Sequence, residues 1–241
     1  MPRRLKKILI TAGPTQEPID AVRYIGNRSS GRLGMALATE AAERGDEVVL
    51  LLGPVEHAET DTRVRVERFR TAAELGLLLR RYAPACDVLI MAAAVADFRV
   101  KGGGKRGKLK RAAGGVTLNL EPTEDLLAGV AERRGPGQTL VGFALEPAAG
   151  LLAAARKKLV NKGVDLIVAN ALRTMDAPDI EATVLDAAGV RARTPGLMSK
   201  PAFAAWLLEI IDGVRAAANP STTVQDAGQT ATNRRRGGRG A

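Results

Sequence analysis

The chain is poor in aromatic residues, cysteine and histidine, and each shortage removes a class of function. Phe, Trp and Tyr make up 3% of its 241 residues, too few for the stacking platforms on which single-stranded nucleic acids lie. Cys86 is the only cysteine, so an internal disulfide is excluded, and a lone thiol fits a reducing cytoplasm. His57 is the only histidine, so a zinc site is not expected. No run of eighteen apolar residues appears, so no helical membrane span is expected. Met1 to Lys7 is basic, but the apolar run behind it is only Ile8 to Ile10. That is too short for a signal peptide and reads as a first strand. Both glycine fingerprints of nucleotide enzymes are also missing. Gly13 is followed by Pro14-Thr15-Gln16 rather than completing G-x-G-x-x-G, and G-x-x-x-x-G-K-[ST] occurs nowhere. Nicotinamide and P-loop chemistry are therefore disfavoured.

What is present is 46% hydrophobic residues, enough for the core of one α/β domain. The net charge of +10 is concentrated in two places. Seven basic residues and no acid lie between Arg99 and Arg111, and residues 219–241 carry four arginines against Asp226. Together these segments account for the whole excess. Charge confined to a loop and a tail is unlike a basic face spread over a folded surface.

Strand and helix signals alternate along the chain. Lys7–Thr11, Glu47–Leu52, Val64–Phe69, Asp87–Ala93, Thr139–Ala144 and Asp165–Ala169 read as strands, as does Val116–Leu120. Gly31–Arg44 with Gly45 behind it, Thr71–Tyr82 with Thr71 as N-cap, Glu124–Arg133 and Pro147–Lys162 read as helices. Ala182–Asp186 and Val190–Arg193 read as a hairpin, and Ser199–Ala217 as an amphipathic helix capped by Ser199. The fold class expected is α/β: a Rossmann-like, doubly wound, mostly parallel sheet with a β-hairpin and an extended flap. The domain is expected over 1–218, with 219–241 a disordered basic tail too polar to bury itself.

The connection from the first strand to the first helix carries the strongest functional signal. It spans residues 12–30, where such a loop usually needs about two to six residues. It lies outside the carboxyl end of a strand, where open α/β sheets bind ligands. It ends in Asn27-Arg28-Ser29-Ser30-Gly31, a cradle for phosphate or carboxylate at a helix start, with Gly13, Ser29, Ser30 and Gly31 as candidates. The plain alternative is that Ser29 or Ser30 only caps the helix. A second segment, Met91 to Phe98, is small-residue-rich and has one acid, Asp97, which can hold magnesium on phosphate oxygens or simply sit in a turn. On the flap, Lys108-Leu109-Lys110-Arg111 can neutralise a triphosphate or remain solvated. Lys158 and Lys162 share an edge of one helix, facing a cleft or only snorkelling. These residues leave open a Rossmann-like reductase or flavoprotein and, through the arginine tail, a nucleic-acid-binding module.

Taken together, the segments resemble phosphopantothenoylcysteine synthetase in its bacterial, CTP-dependent form. The likeness rests on Ile-Thr-Ala-Gly-Pro-Thr-Gln-Glu-Pro-Ile-Asp at 10–20, Asn-Arg-Ser-Ser-Gly at 27–31, Ala-Ala-Ala-Val-Ala-Asp at 92–97 and Lys-Leu-Lys-Arg at 108–111. Val-Gly-Phe-Ala at 141–144 and Asp-Leu-Ile-Val-Ala-Asn at 165–170 add to it. The resemblance implies a ligase of coenzyme A biosynthesis that joins 4'-phosphopantothenate to cysteine through an acyl-cytidylate. It implies that Asn27 assists conversion of that intermediate and that Asp97, Lys108, Phe143, Lys158 and Lys162 contact the nucleotide. It further implies that Glu124, Asp125, Leu126 and Leu127 read the base from their backbone, although the family is closer to Pro-Asp-Ile-Leu there. Mg2+ or Mn2+ at Asp97, CTP as co-substrate, a homodimer, a phosphopantothenoylcysteine decarboxylase as partner and a cytoplasmic setting follow from the same likeness. Residue chemistry alone does not separate CTP from ATP.

Overall fold

The computed structural model describes residues 5–56, 59–111, 114–175 and 177–218; His57 and the tail at 219–241 lie outside them. In chain order the elements are β1 (Lys7–Ala12), β2 (Glu17–Pro18), β3 (Tyr24–Ile25), α1 (Arg32–Glu43), β4 (Glu47–Leu52), β5 (Arg65–Arg68) and α2 (Ala72–Tyr82). There follow β6 (Val88–Met91), β7 (Phe98–Val100), β8 (Leu120–Pro122), α3 (Leu126–Glu132), β9 (Thr139–Glu146) and α4 (Leu151–Lys162). The last are β10 (Leu166–Ala171), β11 (Asp179–Ile180), β12 (Ala182–Asp186), β13 (Gly189–Arg193), β14 (Met198–Ser199) and α5 (Lys200–Ala218).

The main sheet has eight strands in the order β13-β12-β10-β9-β6-β1-β4-β5. The six from β10 to β5 are parallel, and β12 and β13 complete it as an antiparallel hairpin. Renumbered along the parallel strands this is the Rossmann order, with the switch between β1 and β6. Both faces are covered, which explains why the central strands are continuously apolar instead of alternating. Ile8, Ile10 and Ala12 pack with Leu37 and Ala41 of α1 and Phe203 and Leu207 of α5. Leu9 faces the other way, with Leu75 and Leu79 of α2, Leu127 of α3 and Leu159 of α4. Each such leucine contributes about 1.5–3 kcal/mol by leaving water. Gly34 lets α1 press against the end of β1, since a Cβ there would lie 2.4 Å from that of Ala12.

Three expected elements differ. β8 is confined to Leu120–Pro122, not Val116–Leu120, because the pairing with β7 ends one hydrogen bond past Val100, Lys101 N–H to Asn119 O at 2.9 Å, where Gly102 and Gly103 turn with positive φ. Helix α4 begins at Leu151, not Pro147, because β9 extends to Glu146 by pairing with Ala171 and Gly150 caps the helix at φ 84°. The strand expected over Asp87–Ala93 spans Val88–Met91 and then leaves the sheet toward the cleft.

Candidate functional site

A cleft of about 830 Å³ opens outside the carboxyl ends of β1, β6, β9 and β10. The crossovers diverge at the β1/β6 switch, so no helix covers that edge. One wall is the approach to α1 and its first turn, Asn27 to Gly34. Gly31 is the N-cap in a left-handed conformation, φ 70°, and no side chain caps the helix. Ser29 Oγ instead accepts from the Gly31 N–H at 3.3 Å. Neither serine is therefore the helix cap, and the first-turn N–H groups face the cleft with the positive end of the dipole.

The floor is the strand-like segment that follows β6, pinned from both sides by hydroxyls and main chain. Thr11 Oγ1 accepts from Ala93 N–H at 3.0 Å, and Thr15 Oγ1 accepts from Ala96 N–H at 2.9 Å. Gly13 O accepts from Ala94 N–H at 2.9 Å, and Thr123 N–H donates to Asp97 O at 2.9 Å. Asn27 Nδ2 donates to Val95 O at 2.9 Å, which fixes its amide beside this segment. Asp97 is exposed and lines the cleft with Phe143 and Glu146.

The opposite wall comes from α3 and α4. Asp125 caps α3 by accepting from Ala128 N–H at 3.2 Å and forms an ion pair with Lys162. Burial pushes the Asp125 carboxyl up, but the Lys162 hydrogen bond, the Ala128 N–H and the lysine charges outweigh it and hold the group below its ordinary value. Lys158, half-buried beside them, is lowered by burial first and by Lys162 second, against the pull of Glu146, Asp97 and Asp125. Glu124, Leu126 and Leu127 complete this wall.

The structure thus brings together Asn27, Ser29, Ser30, Gly31, Asp97, Glu124, Asp125, Leu126, Leu127, Phe143, Lys158 and Lys162. Two candidates stand apart from the lining. Gly13 lies beneath it, at φ 78° with Gly53 and Val55 packed close, and shapes the loop rather than the wall. Lys108 is exposed on the flap. The flap is anchored next door: Leu109 N–H donates to Asp20 Oδ2 at 3.0 Å and Arg23 Nη2 donates to Leu109 O at 2.8 Å. Asp20 and Glu17 are structural residues that the sequence reading did not single out. Glu17 Oε1 accepts from Ala72 N–H at 2.7 Å and so holds the start of α2. Also unanticipated are Asn170, Thr174 and Lys200, which line the far end of the cleft. Asn170 closes the Asp-Leu-Ile-Val-Ala-Asn segment at 165–170, and Lys200 is a lysine at the first position of a helix, where the dipole opposes it. Among the described residues, no group of three or more His, Cys, Asp or Glu side chains is arranged to hold a metal by itself. No described helix is long and apolar enough to cross a membrane.

Residues 4–215 match the family described as DNA/pantothenate metabolism flavoprotein C-terminal domain. The coenzyme A biosynthesis bifunctional protein CoaBC of Mycobacterium bovis is 43% identical over 175 residues, covering 69% of this chain and 42% of that protein. A cysteine/cysteine sulfinic acid decarboxylase from an unknown prokaryotic organism is 44% identical over 168 residues, covering 70% of this chain and 46% of its own. The chain thus spans less than half the length of these relatives. Among solved structures, the C-terminal domain of a CoaBC protein superposes with TM-score 0.72 at 31% identity, covering 90% of this chain and 97% of that one. A DNA/pantothenate metabolism flavoprotein from Streptococcus pneumoniae gives TM-score 0.74 at 25% identity, covering 87% and 99%.

Proposed function

Because the chain belongs to the DNA/pantothenate metabolism flavoprotein C-terminal domain family, we propose that it is the ligase that joins 4'-phosphopantothenate to L-cysteine, consuming CTP and releasing CMP and pyrophosphate. The observation that carries this reading is the convergence on one cleft of an uncapped helix start, the Asn27 amide and the Lys158 and Lys162 ammonium groups. A carboxylate is a poor acyl donor and must be activated. Its oxygen attacks the α-phosphorus, the bond to the β-phosphate breaks, and pyrophosphate leaves. The cysteine amine then bonds to the acyl carbon, the carbon–oxygen bond to the nucleotide breaks, and the amine proton passes to solvent. Positioning and charge neutralisation are the enzyme's share of this work.

The α1 first turn and the α4 lysines would bind the polyphosphate from two sides. Asn27 Nδ2, held beside Val95 O, would steady the acyl oxygen as cysteine attacks. Residues Glu124 to Leu127 would meet the base. Asp97 fits a Mg2+ or Mn2+ shared with phosphate oxygens, since such ions take one or two carboxylates and complete their shell from substrate and water. Exposed Tyr24, Phe98 and Leu120 on the accessory strands favour a homodimer, and the flap with Lys108 belongs to the same side. The decarboxylase of a bifunctional relative is the partner that fits, in the cytoplasm.

The test is pyrophosphate release with each substrate omitted in turn. Release should need both CTP and the acid, amide should appear only with cysteine, and ATP should compete poorly. Pyrophosphate formed as fast without the acid would overturn the reading. Asn27→Ala should still release pyrophosphate but pass the acyl-nucleotide on slowly; unimpaired amide formation rejects that role.

A further inference from the structure

The far wall of the cleft, beyond β10, is built from residues outside the set proposed above to hold the nucleotide. Lys200 is the first residue of α5 and only 8% exposed, and it lines the cleft with Asn170, Thr174, Met175 and Ile180. The ribbon of β11 and β14 sets its position, pairing Asp179 with Ser199 and Ile180 with Met198. Ser199 Oγ caps the helix by accepting from Ala202 N–H at 3.3 Å. The Lys200 ammonium, which can only donate hydrogen bonds, sits at the start of that helix, where its charge works against the dipole. Asn170 sits near the end of β10. Thr174 Oγ1 donates to Ala171 O at 2.8 Å, so it accepts from Asn170 Nδ2, also at 2.8 Å. This orients the amide and leaves Asn170 Oδ1 as an acceptor with no hydrogen bond among the described residues.

We propose that this wall receives the amino-acid substrate, an inference that rests on the ligase reading. The Lys200 ammonium takes the α-carboxylate of cysteine, Asn170 Oδ1 accepts an N–H of its amine, and Met175 and Ile180 face the thiol side chain. A polyphosphate needs many donors, which lie elsewhere in the cleft. One cation beside an acceptor and two apolar side chains matches a small amphipathic monoanion instead. An acceptor such as Asn170 Oδ1 repels phosphate oxygens but aligns an amine, and a thioether is a favourable neighbour for a thiol.

The experiment separates the two half-reactions in the intact protein. Acid-dependent pyrophosphate release without thiol should be the same in wild type and Lys200→Met, whereas the KM for cysteine should rise about tenfold or more, as for a lost charged hydrogen bond. Cysteamine, which lacks the carboxylate, reads the contact directly. Wild type should prefer cysteine to cysteamine, Lys200→Met should lose most of that preference, and Lys200→Arg should keep part of it. An unchanged cysteine KM, an unchanged preference, or a KM effect on phosphopantothenate instead would overturn the proposal. So would wild type using both thiols equally well, a result that needs no variant to fold. If wild type shows no acid-dependent pyrophosphate release, the ligase reading itself fails, which is a different outcome from a normal first half-reaction with unaltered cysteine use.

Discussion

On the proposed nucleotide reading, Lys158 carries opposite signs for stability and for binding. Burial, and then Lys162, lower its pKa from the usual 10.5. The unfolded chain therefore holds more protons than the folded one over the interval just below that value, and the stability of the unliganded protein rises with pH there. A bound polyphosphate favours the ammonium and reverses the preference. The KM for nucleotide should thus climb with pH before an ordinary lysine would titrate, while thermal stability without ligand does not fall in step. Lys158→Arg, which stays charged, should move the climb to higher pH. A KM profile flat across the alkaline range in wild type would remove Lys158 from the nucleotide site. Cys86 makes the contrasting case. Burial, with help from Asp87, pushes its thiol up to about 12, which keeps it in the thiol form at neutral pH.

At the scale of elements, one carboxylate gathers the contacts at the Leu109 end of the flap, while Lys105 N–H donates to Ile19 O at 3.0 Å farther back. Asp20 Oδ1 accepts from Val22 N–H and Arg23 N–H, both at 2.8 Å, and Oδ2 accepts from Leu109 N–H and the Arg23 guanidinium. The Arg23 side chain above all, then the Leu109 and Val22 N–H groups, hold its pKa well below the usual carboxylate range. A lowered carboxylate stabilises the folded state fully above its unfolded value, near 3.8, and that contribution fades only as pH falls toward the folded value. The anchor should therefore be intact at neutral and mildly acidic pH and fail only in strong acid. Asp20→Asn replaces one acceptor oxygen with a donor facing other donors. Amide exchange over residues 101–111 should quicken while far-ultraviolet circular dichroism stays the same. Unaltered exchange in the variant would mean the flap is held by something else.

For the whole molecule, the accessory strands put apolar side chains where the main sheet cannot cover them. Tyr24 is 50% exposed and Phe98 52%, large apolar side chains that a second surface can cover. A second copy of the chain is the occupant favoured by the homodimer reading. Wild type should sediment at twice the 25.3 kDa of one chain, and Phe98→Lys should shift it to one. A wild-type protein that sediments as a single chain at micromolar concentration would rule this out.

The sequence by itself determined most of the elements, because their signals are local. The apolar run of β1, the Thr71 cap of α2, which accepts from Glu74 N–H at 3.2 Å, and the oversized connection after β1 were all legible as residue patterns. So were Asn27, Asp97, Lys158 and Lys162 as cleft residues, once a resemblance linked them. Tertiary structure alone decided where charges and strand ends find partners. Val116 and Leu118 are exposed because β7 stops short; β9 runs on because β10 is beside it. Asp20 is consumed by a flap far along the chain, Lys108 stands outside the cleft lining, and Lys200 is inside it. Periodicity and caps are set within a turn or two of helix. The role of an ionisable side chain depends on which groups the sheet order brings within a few ångströms, and that order is a property of the packed whole.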